Sequence, residues 1–271
     1  RESNPLTMSA PQPPTKMSAP ENLMTESSRI EISGGARFLT KSFVYETKQN
    51  SRILQGGLSY DTQWLIGWGG KLQFRPFGGT AQALRGLSLF GSYERYTYES
   101  IRIYRSPISS STKVNLPSDL NRWSGGFKYG YPLQTQQRTH QMGFSISYHG
   151  TLMNVAPNQE YLGLDTHLVD LGLFGEFVLS PSVFYLLLQS GFRPVASFGN
   201  RVTELGASAE SYGASSGIGF RYRSAEGITL GLMIHLSFLF SEPVGEGRGG
   251  RIGESARDQT LSVDIDLGLS S

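Results

Sequence analysis

The chain has 271 residues, of which 38% are hydrophobic and 33 are Gly, and it contains no Cys. The lack of Cys excludes disulfides, thiolate catalysis and zinc–thiolate sites, and a net charge of +2 with acids and bases interspersed argues against nucleic acid as a partner. No apolar run reaches the length of about 18 residues that a transmembrane helix requires, whereas the abundance of Gly and aromatic residues favours all-β structure.

Residues 1–27 differ in composition from the rest of the chain. The stretch "TMSAPQPPTKMSAP" carries Met-Ser-Ala-Pro twice, and its prolines favour an extended, unpacked chain. We interpret it either as a disordered linker or as an N-terminal arm that docks a partner protein. The residues through which such an arm would dock are Met8, Pro11, Pro13, Pro14, Met17 and Pro20. Because the chain begins at Arg1 without a basic and apolar leader, we expect that a signal peptide has been removed or that the chain has been trimmed.

The remainder of the chain, residues 28–271, consists of stretches in which apolar side chains recur at every second position. In "ITLGLMIHLSFLF" at 228–240, the even positions are all large and apolar, whereas the odd ones are mainly Thr, Gly, His and Ser. A period of two predicts a β-strand with one continuously apolar face. Ten such strands are predicted, and they begin near Ile30, Leu54, Leu87, Trp123, Met142, Val169, Phe184, Tyr212, Ile228 and Leu261.

The connections between these strands predominantly alternate between short turns and longer polar loops. Tight turns such as "SAEG" at 224–227 alternate with loops such as 241–256, which predicts antiparallel up-and-down hairpins that close into a β-barrel. Twelve strands are the alternative, since 52–76 is long for a single strand and Asp61-Thr62 could form a turn. A soluble β-sandwich or soluble barrel would also alternate in this way.

The chain resembles the small bacterial outer-membrane β-barrels, of the general kind that includes the outer-membrane protein A and X barrels. The resemblance covers about residues 28–271 and rests on the even strand count, the alternating connections and the aromatic ring positions. It implies a bacterial outer-membrane location, periplasmic termini, and contact with outer-membrane lipid and lipopolysaccharide. Aromatic residues expected in girdles at the membrane interface are Tyr60, Trp64, Trp68, Tyr93, Trp123, Tyr129, Tyr131, Tyr148, Tyr212 and Tyr222.

If the apolar faces contact lipid, the opposite faces line the barrel lumen. The charged residues predicted there are Arg37, Lys71, Arg75, Arg122, Lys128, Asp170, Glu176, Arg193, Arg221, Arg223, Asp264 and Asp266. Side chains already fill the interior of an eight-stranded barrel, so ten strands leave little room, and buried charges must pair. We therefore predict a plug of ion-paired side chains, with a narrow polar channel as the alternative.

The chemistry-bearing residues form no recognisable catalytic signature. Two pairs, His149 with Ser147 and His235 with Asp266, are the candidates for an outer-membrane hydrolase, although a lumen His more often fills space and donates hydrogen bonds. The match of "GEGRGG" at 245–250 to a phosphate-binding pattern lacks the helix that such a site needs. The sequence therefore implies no cofactor and predicts a protein that is not an enzyme.

The sequence favours a structural function. A filled lumen, no catalytic constellation and a distinct N-terminal arm predict an anchor or assembly subunit that engages other envelope proteins. A narrow channel for ions or small solutes is the second hypothesis, and an outer-membrane hydrolase is the third. The loop carboxylates Glu242, Glu246 and Glu254 are either solvated or in contact with divalent ions at a lipopolysaccharide surface.

Overall fold

The computed structural model describes residues 30–47, 57–62, 64–77, 84, 86–105, 113–135, 138–155, 164–180, 183–197, 208–245 and 253–270. These residues form strands β1 (Ile30–Thr47), β2 (Gly57–Asp61), β3 (Leu65–Phe74), β4 (Leu87–Arg105), β5 (Lys113–Gln134), β6 (Thr139–Val155), β7 (Leu164–Ser180), β8 (Phe184–Ser197), β9 (Ser208–Arg223), β10 (Ile228–Val244) and β11 (Gly253–Ser270). Within this part of the chain, no helix has the length and apolar character needed to cross a membrane.

The strands form a closed antiparallel barrel. Each strand pairs with the strand that follows it in the barrel wall, and β11 returns to pair with β1 along nearly its whole length. The short strand β2 and strand β3 both lie between β1 and β4, so together they occupy one position in the wall. The structure confirms the predicted up-and-down barrel with ten wall positions, and closure of the sheet excludes a sandwich.

The interruption between β2 and β3 does not reverse the chain. The backbone N–H of Thr62 donates to the carbonyl of Lys41 (2.8 Å), and the backbone N–H of Lys41 donates to the Thr62 hydroxyl (2.7 Å). These two bonds hold the irregular residue against β1, so the chain continues down the same wall position. The twelve-strand alternative, which required a turn at Asp61-Thr62, is therefore wrong.

The wall separates the two sets of side chains that the alternating pattern predicts. On β10 the even residues from Ile228 to Phe240 point outward and the odd residues point into the lumen, so Leu230 is 50% exposed while Met233 is only 6% exposed. The same separation recurs around the barrel, and the outer wall is consequently a continuous apolar surface.

Strict alternation is interrupted in the middle of the β7–β8 pairing. Val169 pairs with Val195 but Leu171 pairs with Phe192, so β8 contains one residue more than β7 between these pairs. The extra residue lies at Arg193-Pro194, where Pro supplies no backbone N–H to the ladder. This β-bulge changes the parity of β8, and both Arg193 and Ala196 are therefore buried inside the barrel.

The two ends of the barrel differ. The strand ends that the sequence joins through residues 75–86, 135–138, 181–183 and 224–227 lie at one end, here called the short-turn end. The strand ends that it joins through 48–56, 106–112, 156–163, 198–207 and 245–252 lie at the opposite end, here called the long-loop end. In the turn before β10, Gly227 has a φ of 84°, a left-handed conformation that Gly adopts without strain.

Candidate functional site

The lumen near the long-loop end is filled by apolar side chains. Nine of the eleven strands contribute to this set, here called the apolar layer. Leu39 and Tyr96 are fully buried in it. The members are Leu39, Phe43, Tyr45, Leu65, Tyr96, Leu120, Met153, Leu168, Ala196, Leu239 and Ala256. Because these side chains point inward from all around the wall, they close the barrel interior at this level.

A single ion pair is enclosed near the apolar layer. Lys41 lies between Leu39 and Phe43 on the inner face of β1, and its ammonium group makes a close ion pair with both oxygens of Asp258 on β11. Both side chains are almost completely buried. The desolvation of each charge is therefore offset by its partner, and removal of one partner would leave the other unpaired in an apolar environment.

A cluster of ion pairs fills the middle of the lumen. The guanidinium of Arg37, which has no exposed surface, lies 2.6 Å from Asp266, 3.5 Å from Glu94 and 3.8 Å from Asp264. Lys71 lies 2.9 Å from Asp264 and 3.2 Å from Asp266. These five residues come from β1, β3, β4 and β11, so the cluster connects neighbouring strands across the barrel closure.

The same cluster continues towards β5. Arg122 lies 3.3 Å from Glu94 Oε2, and the hydroxyl of Tyr96 donates a 3.1 Å hydrogen bond to the same oxygen. With this addition, three cations face three carboxylates, and we call Arg37, Lys71, Glu94, Arg122, Asp264 and Asp266 the central ion cluster. Tyr96 belongs to the apolar layer as well, so the two parts of the filling are in contact.

A second buried pair lies on the opposite wall. Arg193 Nε lies 2.9 Å from Asp170, whose oxygen also accepts a hydrogen bond from the Ser215 hydroxyl (3.0 Å). The Nη1 atom of Arg193 donates to the Ser237 hydroxyl (2.5 Å). The β-bulge in β8 positions this Arg, since it allows Arg193 and Ala196 to face the lumen together.

Charges at the short-turn end are less evenly matched. Arg221 lies 3.5 Å from Glu176 and 3.8 Å from Glu31, and Arg223 lies 3.4 Å from Glu31. Arg75 and Lys128, which are also on the inner side, have no carboxylate within ion-pair distance among the described residues. The Lys128 ammonium instead lies over the ring of Phe90, 4.8 Å from its centre.

The lumen encloses a cavity of about 310 Å³. Its wall includes members of the central ion cluster, the inward Ser and Thr side chains, and the Lys128 region at the short-turn end. All twelve charged residues that the sequence placed in the lumen are therefore on the inner side of the wall or at its rim, and eight of them line this cavity. Those eight are Lys71, Arg122, Lys128, Asp170, Arg193, Arg221, Asp264 and Asp266.

The two predicted His pairs have different geometries. The Ser147 hydroxyl and His149 Nε2 are 2.8 Å apart, so this pair is formed. His235 Nε2 lies 3.6 Å from Asp264, and the predicted partner Asp266 is instead bound by Arg37 and Lys71. No carboxylate orients His149 within ion-pair distance in the described part of the chain.

The predicted girdle residues lie on the outer wall. Trp64, Trp68, Tyr93, Tyr131, Tyr148 and Tyr212 are largely exposed, and Trp123, Tyr129 and Tyr222 are half-buried. Trp68 and Tyr93 are in ring contact, with centroids 5.9 Å apart. The side chain of Tyr60, the arm residues 1–27, Glu246 and the side chain of Glu254 lie outside the described residues, and Glu242 is exposed at the end of β10.

Sequence reasoning missed three parts of this arrangement. Tyr96, which is not among the residues predicted in the lumen, points inward because it shares the parity of Glu94. Lys41 and Asp258 share the parity of Arg37 and Asp264, and this signal would have placed them in the lumen. His167 on the outer wall is held between the Tyr148 hydroxyl at 2.5 Å and Asp165 at 3.0 Å.

Comparison with known proteins gives a fold-level match. No family model and no curated protein matches the sequence. The solved structure of the outer-membrane protease OmpT from Escherichia coli matches with a TM-score of 0.57 at 8% identity, over 89% of this chain and 96% of that one. The fold is that of an outer-membrane β-barrel.

Two further matches are more distant. The β domain of the Bordetella autotransporter BrkA has a TM-score of 0.43 at 11% identity, over 88% of this chain and 100% of that chain. The outer-membrane protein OprG from Pseudomonas aeruginosa has a TM-score of 0.38 at 8% identity, over 91% and 97% of the two chains. At these scores neither match carries an argument about this barrel.

The match to a protease corrects one prediction. The sequence predicted that the chain is not an enzyme, because it contains no catalytic signature and its lumen is filled. A barrel with the same fold is a protease. A barrel of this architecture therefore does not exclude catalysis, and the prediction that this chain is not an enzyme is wrong. At 8% identity the match shows the fold alone and transfers no activity to this chain.

Proposed function

We propose that this chain is an integral protein of the bacterial outer membrane that serves as a structural anchor or assembly subunit for other envelope proteins. The observation that carries the proposal is the closure of the lumen by the apolar layer, beside which the paired charges of the central ion cluster line the remaining cavity. A barrel closed at this level presents its outer wall and its ends, rather than a continuous interior, to other molecules.

The apolar layer opposes conduction. A hydrated ion that crossed it would lose its water among side chains that offer it few ligands. The central ion cluster lines the cavity below this layer with paired charges, so it does not remove that barrier. The runner-up function, a narrow channel for ions or small solutes, is therefore disfavoured by the same side chains that support an anchor.

The outer wall supports the membrane location. Large apolar side chains such as Ile66, Leu173 and Leu267 are at least 60% exposed, which would be unfavourable in water but is typical of a wall in contact with lipid. We group the chain with the small outer-membrane barrels, such as those of outer-membrane proteins A and X, because side chains fill its lumen. The arm precedes Ile30, at the short-turn end, which would be the periplasmic end.

The first prediction concerns conductance. When the purified barrel is inserted into a planar lipid bilayer, we expect no steady current at moderate voltage, because the apolar layer closes the lumen. Heat-modifiable migration on a gel would verify that the inserted sample is folded. A steady unitary conductance from folded protein would contradict the anchor and support the channel.

The second prediction concerns the N-terminal arm. Deletion of residues 1–27 is expected to abolish cross-linking of the barrel to its envelope partners in intact cells, while the barrel itself still assembles. The matched control replaces Pro11, Pro13, Pro14 and Pro20 by Ala, which keeps the arm length but removes its extended bias. An unchanged cross-linking pattern in the deletion variant would count against a docking arm.

A further inference from the structure

The short-turn half of the lumen contains more positive than negative charge. Among the described residues, four cations, Arg75, Lys128, Arg221 and Arg223, face two carboxylates, Glu31 and Glu176. Both carboxylates are already shared with the two Arg residues of β9. Because like charges in a confined interior repel each other, this half of the lumen is suited to an additional anion.

Lys128 is the cation whose N–H donors are most clearly available to a ligand. Its ammonium lies 4.8 Å from the ring centre of Phe90 and 5.8 Å from that of Phe174, and none of the described carboxylates lies within ion-pair distance. Cation–π contact stabilises the charge only in part and leaves the N–H donors available.

The surroundings of Lys128 are apolar as well as charged. Phe90 and Phe174 lie beside the Lys128 ammonium and line the lumen cavity, whose whole volume of about 310 Å³ also extends along the central ion cluster. Ligand pockets are typically about 300–1,000 Å³ and combine apolar walls with a few convergent polar groups. The part of the cavity around Lys128, here called the Lys128 pocket, combines apolar and polar groups in this way, and the whole cavity has room for one small molecule.

We propose that the Lys128 pocket binds a small organic anion with an apolar body, such as an aromatic or short aliphatic carboxylate. The carboxylate would accept hydrogen bonds from Lys128 and from Arg221, which also lines the cavity. The apolar body would pack between the rings of Phe90 and Phe174. This binding function goes beyond the anchor and does not require conduction, since the apolar layer lies beyond the pocket towards the long-loop end.

The test measures binding to the full chain in lipid nanodiscs by calorimetry, with empty nanodiscs subtracted. The probes are phenylacetate, its neutral analogue phenylacetamide, and inorganic phosphate. We expect saturable binding of phenylacetate and at least tenfold weaker binding of the other two, since the amide lacks charge and phosphate lacks an apolar body. Phosphate binding as tight as that of phenylacetate would overturn the proposal, as would the absence of saturable phenylacetate binding.

Variants locate the site. Lys128→Met keeps the apolar stem but removes the charge, and it is expected to weaken phenylacetate binding at least tenfold. Phe174→Leu, which preserves a folded apolar wall, should weaken it several-fold and would test the site if the Lys128 variant failed to fold. The control is Arg95→Met, whose side chain is exposed on the outer wall. Equal binding by all three variants would place the ligand elsewhere and overturn the proposal.

The binding test and the conductance test fail separately. A barrel that conducts but still binds phenylacetate through Lys128 would contradict the anchor and leave the Lys128 pocket supported. A barrel that does not conduct and binds no organic anion would support the anchor and contradict the Lys128 pocket.

Discussion

Replacing Arg37 by Met is expected to lower the free energy of unfolding by about 3–5 kcal/mol, the usual cost of breaking a buried ion pair from one side. Arg37 has no exposed surface and contacts Asp264, Asp266 and Glu94. Without it, three carboxylates of the central ion cluster would face only Lys71 and Arg122. The excess negative charge would lie in an interior that water reaches poorly.

Equilibrium denaturation of the barrel in lipid vesicles would measure this change. Arg95→Met is the matched control, because it removes the same charge from an exposed site and is expected to change the free energy of unfolding by no more than about 0.5 kcal/mol. Adding Asp266→Asn to the Arg37 variant should recover part of the loss, since it removes one of the unpaired charges. Equal effects of the Arg37 and Arg95 variants would show that the central ion cluster contributes little.

Replacing Tyr96 by Ala is expected to lower the free energy of unfolding by about 3–5 kcal/mol, as for other large buried aromatic residues. Tyr96 is fully buried, belongs to the apolar layer and also bonds to Glu94 of the central ion cluster. Truncation to Ala would leave a void inside a closed barrel, whose rigid wall cannot collapse to fill it.

The variant Tyr96→Phe separates the ring from its hydroxyl. It keeps the packing of the apolar layer and removes one hydrogen bond, so we expect a loss of only about 0.5–1.5 kcal/mol. The same vesicle denaturation measures both variants. If Phe and Ala destabilised the barrel equally, the hydroxyl bond rather than the apolar layer would hold this part of the lumen together.

The wall of the barrel could be predicted because it depends on a local pattern. In "ITLGLMIHLSFLF" the alternation of side chains identified β10, its outward face and its inward face without any partner strand. The turn "SAEG" before it and the loop after it then gave its direction. A period of two follows from the geometry of an extended chain, so each strand carries this information in its own residues.

The apolar layer could not be predicted in the same way. Leu39, Phe43 and Tyr45 point inward although they are apolar, because they share the parity of Arg37. A rule that assigns apolar side chains to lipid conflicts with this parity, and the alternation alone does not say at which level of the lumen such side chains meet. The β-bulge at Arg193-Pro194 changes parity within a strand, which only the register with β7 shows.

The ten alternating strands of the wall and twelve of the charges that face inward follow from the local pattern of the sequence. Which charges meet does not, because the partners lie far apart in the chain: Arg37 and Asp266 are separated by 229 positions. The same holds for His235, which lies near Asp264 rather than Asp266. Which inward charges meet, and which cations such as Lys128 keep no carboxylate partner, depends on how the strands are tilted and staggered when the sheet closes, and no single strand encodes that.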